Sequence, residues 1–488
     1  MNMRFTNLRN SGPILVGLLA LGMRLYELPA RMVFTADEEY QATYAATIVQ
    51  HFHRIWIGVS AGATGFYLGP YWTYFTALWL KLSGGDPLLT GYVAAVLGAV
   101  TAGLVVYLGS LVWSRRVGVY AGVLYAVLPL LVFFDQRYWN PSAAPLLSVA
   151  IAIALVKIKK SPWWLVVLAA ALGAIFHIHL ALVPLWGVAA YFVWKVRKSI
   201  NRKVWLTSLL TLALMFAPLI VFDYYHAGSN ISTPYRLLTT RGASTSFSLG
   251  DHARQFSAAL ARMWWLRPWG DIQMELRPGC AGSIYTTPSL VGGGIAFILL
   301  LWFLVSRSAW QRRESAVIAS MLLVLTVSFI AFPQAVTDYY ALGIFPLYLL
   351  AVVSRLDTVF LLRKLVPLGA AVLVVASGYT IFSADSTVGL AAKHHLVNMV
   401  AEYLHGAPYA LVEEGTCHKY GGWRYLFSVY GYKPVASSAD ASLGWLYPQD
   451  MHQGTPHYTV HVGATNEISP PKSVRFVSGG YTAYLTED

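Results

Sequence analysis

Apolar residues in this chain come in runs of about 16 to 25, the length that crosses the hydrocarbon core of a bilayer as a helix. The first covers 13–28. The others cover roughly 88–112, 117–134, 141–156, 162–178, 180–195, 204–222, 288–306, 315–332, 339–355 and 364–382. Backbone polar groups have no water to bond in the bilayer core, so spanning segments of this length are helices. Only 12% of the 488 residues are charged, against about 25% in a soluble domain. The sequence reads as an α-helical polytopic membrane protein.

The formal charge of +13 would by itself also suit nucleic acid. Its distribution argues against that partner. The basic residues form short clusters between apolar runs: Arg115-Arg116, Lys157 to Lys160, Lys195 to Lys203, Arg307 to Arg313 and Arg355 to Lys364. This is the pattern of cytoplasmic loops. The N-terminus MNMRFTNLRN is basic, and no small-x-small cleavage site ends the first run before Arg24. An uncleaved first span with a cytoplasmic N-terminus is expected.

Parity then places the rest. The run 88–112 must point inward to deliver Arg115-Arg116 to the cytoplasm. The stretch 67–82 must therefore begin and end outside, as a juxtamembrane or re-entrant helix. Its aromatics (Tyr67, Tyr71, Trp72, Tyr74, Phe75, Trp79) suit an interface. About eleven spans result, with the C-terminus outside. The outer polar regions are 29–86, 135–140, 223–287 and a tail from about 383. The tail reads as a helix over 386–405, a strand over 408–413, a helix over 422–431, and strands over 456–462 and 473–486. The expected organisation is a transmembrane domain, 1–382, and a small extracytoplasmic α/β domain, 383–488. No internal repeat of the kind that builds many transporters is visible. Cys280 and Cys417 both fall in outer segments. An oxidising compartment permits a bridge between them; the alternative is two unpaired thiols, since spacing in sequence does not show proximity.

The chemistry-bearing residues cluster at the outer ends of the runs. Asp37-Glu38-Glu39 follows the first span. A carboxylate there can take a proton from an acceptor hydroxyl. Thr35-x-x-Glu38 also fits a capping box, and acids suit a helix N-terminus. The two readings are compatible, because a cap fixes a carboxylate's direction. Phe134-Asp135-Gln136-Arg137-Tyr138-Trp139-Asn140-Pro141 forms a whole outer loop. Arg137 there can neutralise a lipid phosphate, or pair with Asp135, or snorkel to headgroups. Asn140-Pro141 fits a helix start, with Asn as cap. His177 and His179 read as interface histidines, since positions i and i+2 of a helix point to different faces. A divalent cation held by Asp37, Glu38 and a histidine is chemically open, though no ligand spacing supports it. The loop 223–287 carries Arg236, Arg241, Arg254, Arg262, Arg267 and Arg277, which suits either an anionic lipid head or anionic bilayer lipid.

This arrangement resembles the GT-C glycosyltransferases, and within them the branch containing protein O-mannosyltransferases and the lipid A aminoarabinose transferase. Asp37-Glu38 matches that branch's acidic pair. Tyr67-Leu68-Gly69-Pro70-Tyr71-Trp72-Thr73-Tyr74 and Gly84-Gly85-Asp86-Pro87 resemble the stretch that follows it. Arg137-Tyr138-Trp139-Asn140-Pro141-Ser142 looks like the second-loop motif, and Tyr339-Tyr340 through Pro346-Leu347-Tyr348 like a late aromatic–proline segment. Two positions depart: Asn140 stands where much of the branch has Asp, and Asp338 where it often has a basic residue.

The resemblance implies a GT-C fold in the plasma membrane and a polyprenyl-phosphate-linked sugar donor used on the outer face. The acceptor would be a hydroxyl on a glycan, a protein or a lipid. It implies inverting displacement with Asp37 as base and Glu38 orienting it. Arg137, Tyr67, Tyr71, Asn140, Tyr339 and Tyr340 would meet the donor phosphate and its lipid. The rival from another class is a transporter or flippase of a lipid-linked saccharide. That rival needs ionisable residues near mid-span and broken helices; the charged residues here cluster at span ends.

Overall fold

The computed structural model describes residues 11–61, 65–239, 249–265, 290–332, 338–384, 386–414, 421–451, 454–465 and 474–487. Cys280, Cys417, Arg241, Arg267 and Arg277 lie outside these residues, and with them the question of a bridge.

The chain begins with α1 (Gly12–Leu25), α2 (Ala36–Gln50), α3 (Tyr71–Leu82) and α4 (Leu88–Val112). It continues through α5 (Arg115–Val127), α6 (Pro129–Asp135), α7 (Ala144–Lys157), α8 (Trp164–Ile178), α9 (Leu185–Val196) and α10 (Arg202–Tyr225). Next come α11 (Ser229–Thr239), α12 (Leu249–Trp265), α13 (Leu290–Leu304), α14 (Arg313–Ala331), α15 (Phe345–Thr358) and α16 (Phe360–Ser383). Among the described residues six helices are long and apolar enough to cross a membrane, or seven if α5 and α6 form one bent span; α1, α8 and α13 are shorter apolar helices. The chain is a multi-pass membrane protein.

Two expectations about helix limits need correction. The run 117–134 is not one helix: Pro129 forces Leu128 into an extended conformation, and α5 and α6 meet at 66°. The stretch 67–82 is helical only from Tyr71. Leu68 instead exchanges backbone hydrogen bonds with Gly58 and Val59, and Pro70 stands at the helix start.

The five basic clusters gather at one end of the bundle. Arg116 pairs with Asp357 at 3.1 Å. Arg313 donates to the carbonyls of Leu155 and Val156, and Arg355 to Ser308. Lys203 lies over the ring of Trp163. Asp86, which precedes α4, binds Tyr430 of the C-terminal segment at 2.6 Å. Helix α4 has 25 residues, about 37 Å at 1.5 Å per residue. The basic end and the acidic end are thus separated by the length of that helix.

Close packing of α1, α4 and α5 rests on small residues. At Gly98 a side-chain carbon would overlap the Asp135 carboxylate and come within 2.6 Å of Arg24 Nε. Gly98→Ala is expected to lower stability by about 1–3 kcal/mol through overpacking. Gly22→Ala, whose added carbon meets nothing within 4 Å, is the control and should leave the unfolding temperature in detergent nearly unchanged.

The C-terminal segment contains α17 (Leu390–Leu404), β1 (Tyr409–Glu413), α18 (Trp423–Tyr430), β2 (Ala436–Ser437), β3 (Tyr458–Ala464), β4 (Arg475–Ser478) and β5 (Tyr481–Glu487). The expected helices and the first and third strands stand near their expected places, but the strand expected over 473–486 is a hairpin, β4 and β5, turned at Gly479-Gly480, and β2 is an addition. The sheet runs β2-β1-β3-β5-β4. Strands β2, β1 and β3 are parallel, while β5 pairs antiparallel with both β3 and β4. Helix α17 packs on β4, β5 and α18. This segment shares one hydrophobic core with the loop after α1: Tyr44, Ile48 and Trp72 belong to the same cluster as Leu396, Trp423 and Val460. The C-terminal segment therefore meets α2 through α18, with the sheet behind it.

Candidate active site

Three consecutive acids open α2, and at 100° per residue they face three directions. Asp37 is 68% exposed at its side chain. Glu38 is 2% exposed, and its Oε2 accepts from the Thr35 N–H (2.9 Å) and hydroxyl (2.7 Å). Its Oε1 forms an ion pair with Arg137 Nε. The capping box is present, and it fixes Glu38 while the Asp37 side chain is exposed.

Glu39 turns to the opposite side. Its carboxylate accepts from the N–H groups of Gly422 (3.0 Å) and Tyr425 (2.9 Å), and so caps the N-terminus of α18. Lys393 lies beside it, donating to the carbonyls of Phe34 (2.9 Å) and Gly421 (2.7 Å). The third acid thus fastens the C-terminal segment to α2. The sequence held a signal for this, since three successive helical positions cannot face one ligand.

Burial sets the charges at this joint. It pushes the Glu39 carboxyl up. It raises Glu413 from 4.5 to about 8 and lowers Lys393 from 10.5 to about 8. A raised carboxyl gives stability that is complete below its unfolded value and lost as pH rises through its folded value. Glu413 therefore weakens the joint as pH climbs from about 4.5 to about 8, and Glu39, also raised by burial, acts in the same direction. The lowered lysine gives stability above about 10.5 that is lost as pH falls through about 8. Unfolding of the C-terminal segment, followed by Trp423 fluorescence, should show a stability minimum near pH 8. Glu413→Gln should flatten the acidic side of that profile.

The second loop is set by a buried ion pair. Arg24 and Asp135 meet at 2.6 Å, with side chains 0% and 4% exposed. Arg24 also donates to the carbonyls of Ala126 (2.9 Å) and Tyr125 (3.2 Å), and Gln136 donates to the Arg24 carbonyl (2.9 Å). Asp135 is thus taken by Arg24, not by Arg137. This lock fixes where Arg137 leaves the bundle. Arg137 is 0% exposed and spends Nε on Glu38, while Nη2 lies 3.5 Å from Asp37 Oδ2. Its guanidinium stacks on Trp139 at 3.6 Å. Its Nη1 is enclosed without a partner among the described residues. Neither alternative role holds, since Arg137 neither pairs with Asp135 nor snorkels to headgroups.

Trp139 leads to the late segment. Its ring meets Tyr339 at 4.7 Å, and His179 packs on Tyr339 and Tyr340 at 5.6 and 5.3 Å. Asp338, just before them, pairs with the buried Arg262 of α12. An arginine from a distant helix therefore stands beside this acid.

Tyr67, Tyr71 and Asn140 belong to a second constellation, around His177. The Tyr71 ring stacks on His177 at 4.3 Å, and its hydroxyl donates to the Leu214 carbonyl at 2.6 Å. Asn140 Nδ2 reaches the His177 carbonyl at 3.4 Å. His177 is 2% exposed and is no interface residue. Any side chain at Gly69 would overlap its ring. Tyr67 holds the Asn230 side chain through both backbone groups, at 2.7 and 2.9 Å. The Asn230 side chain is thus buried against Tyr67. Asn140 is not the expected cap either: Ser142 Oγ accepts from the Trp139 N–H at 3.1 Å and so caps the turn. Among the described residues no group of three or more His, Cys, Asp or Glu side chains is gathered to hold a metal ion.

No protein-family model matches this sequence, and no curated protein sequence matches it. Solved structures do share the fold. ArnT from Cupriavidus metallidurans bound to undecaprenyl phosphate is 14% identical with a TM-score of 0.58, covering 97% of both chains. Its apo form gives 13% and 0.58 over the same shares. The oligosaccharyltransferase AglB from Archaeoglobus fulgidus, in complex with an inhibitory peptide and a dolichol-phosphate, gives 13% and 0.50, covering 94% of this chain and 70% of that one. The fold is the GT-C fold.

Proposed function

We propose that this GT-C-fold chain is a glycosyltransferase that moves a sugar from a polyprenyl-phosphate carrier to an acceptor hydroxyl. One observation carries the reading. An exposed carboxylate, Asp37, stands at the edge of a fully buried arginine, Arg137, whose direction Glu38 fixes and whose Nη1 is still unpaired. Such a pair offers a base for the acceptor and a cation for an anionic leaving group within one contact. A neighbour of the same fold has been solved with undecaprenyl phosphate bound, which supports a prenyl phosphate as that leaving group.

The step is a single displacement. The acceptor hydroxyl gives its proton to Asp37 as its oxygen bonds to the anomeric carbon. The bond from that carbon to the phosphate oxygen breaks, and the electron pair leaves with the prenyl phosphate. Arg137 Nη1 meets the charge growing on that phosphate. Preorganised donors of this kind commonly contribute about 3–4 kcal/mol. Glu38 acts through Arg137, and Tyr339 and Tyr340 extend the wall that Trp139 begins. Tyr67, Tyr71 and Asn140 form the further wall toward the lipid chain.

The basic end of the bundle faces the cytoplasm by the positive-inside rule. Asp37 and the C-terminal sheet, at the other end, then face the outside of the cell membrane, where a carrier lipid holds its phosphate at the headgroup plane. The division into 1–382 and 383–488 becomes a catalytic bundle and an outer domain fastened to it by Glu39. The testing experiment is transfer by the purified protein in nanodiscs, with a prenyl-phosphate sugar of defined anomeric configuration. The product is expected to carry the inverted configuration. Retention would rule out single displacement, and a requirement for a nucleotide sugar would rule out the donor class.

A further inference from the structure

We infer that the cavity between α2 and the C-terminal segment is a subsite for a saccharide unit of the acceptor. The inference rests on the glycosyltransferase reading and narrows its acceptor to a glycan. The cavity has a volume of about 280 Å³. Its walls are Thr43, Thr47 and Gln50 of α2, with Arg424, Ser428 and Tyr447 from the C-terminal segment. Thr43 lies six residues beyond Asp37 on one helix, or about 9 Å at 1.5 Å per residue. The cavity follows the Glu39 side of that helix, which faces away from Glu38 and Arg137.

Its chemistry is that of a sugar site. Arg424 is 5% exposed. Its Nε is held by Asp440 at 3.0 Å, and its guanidinium lies 3.5 Å from the Tyr447 ring centre. Its Nη2 has no partner among the described residues. The charge is already balanced, so the enclosed, unpaired donor asks for an oxygen and not for a full counter-charge. The other lining cation, Lys433, is likewise paired, with Asp450 at 2.8 Å. A phosphate-rich ligand would meet no surplus positive charge here. A prenyl chain would leave an enclosed donor unsatisfied, which is costly. Hydroxyls of Thr43, Thr47 and Ser428 and the amide of Gln50 fit the hydroxyl rim of a pyranose, and the side chains of Val49 and Val429 fit its C–H faces.

The test uses the full chain in nanodiscs and two uncharged probes, chitotetraose and maltotetraose, with binding read by saturation-transfer NMR. Ser428→Trp fills the cavity from α18 and leaves the Arg424–Asp440 pair alone. A second variant, Arg424→Gln with Asp440→Asn, removes the donor without stranding a charge. Wild type is expected to bind at least one probe, and each variant to bind it at least tenfold more weakly. With that probe as acceptor, KM should rise at least tenfold in Ser428→Trp, while kcat and KM with n-octanol stay as in wild type. Equal binding by wild type and Ser428→Trp, or no binding of either probe by wild type, overturns the subsite. If transfer to octanol persists and probe kinetics match wild type, the subsite falls and the transferase reading stands. If no sugar is transferred to any acceptor yet Ser428→Trp abolishes probe binding, the subsite stands and the transferase reading falls.

Discussion

Asp37→Asn is expected to lower kcat by about 10²–10⁴-fold, the usual contribution of a positioned general base. Folding should be spared. The Asp37 side chain is 68% exposed, and its contact with Arg137 is 3.5 Å long. Asn keeps the shape and removes only the proton acceptor. Donor binding, measured with the prenyl-phosphate sugar alone, should change little. Transfer at a near wild-type rate, in protein with an unchanged unfolding temperature, would end the assignment of Asp37 as base.

Arg137→Met should have the largest effect on the molecule as a whole. Arg137 is fully buried and shares an ion pair with Glu38, itself 2% exposed. Removing the arginine leaves Glu38 buried without its counter-charge, which typically costs about 3–5 kcal/mol. Little folded protein should accumulate. The double variant Arg137→Met with Glu38→Gln removes the stranded charge and should recover most of the stability. It should still transfer sugar about 10²–10³-fold more slowly, because the donor aimed at the leaving phosphate is gone. A folded double variant with unchanged donor affinity and turnover would show that Arg137 serves the fold and not the phosphate.

The local features of this chain were legible, and the long-range ones were not. The apolar runs located the helices because bilayer thickness sets their length. The tail's helices and strands followed from periodicity. Thr35-x-x-Glu38 announced the start of α2. Two local signals were stronger than the reading made of them: Pro129 within the run 117–134 and Gly69-Pro70 before α3 each mark a break. The partners of the charges lay beyond reach. Arg24 and Asp135 are 111 residues apart, and Glu39 and Gly422 are 383 apart. No spacing rule connects such pairs; only tertiary packing does. The same holds for Arg262, which sits beside Asp338 across 76 residues. The pair Asp37-Glu38 was legible as a unit. That its members have opposite surroundings, one open and one enclosed, depends on where Arg137 enters.

The most direct measurement is a cryo-EM structure of the chain with a non-transferable prenyl-phosphate-sugar analogue. A phosphate oxygen is expected within hydrogen-bond distance of Arg137 Nη1, with the anomeric carbon turned toward Asp37. A phosphate seated instead around His177 and Tyr71, with Arg137 still closed on Glu38 and no sugar near Asp37, would contradict the assignment of this site.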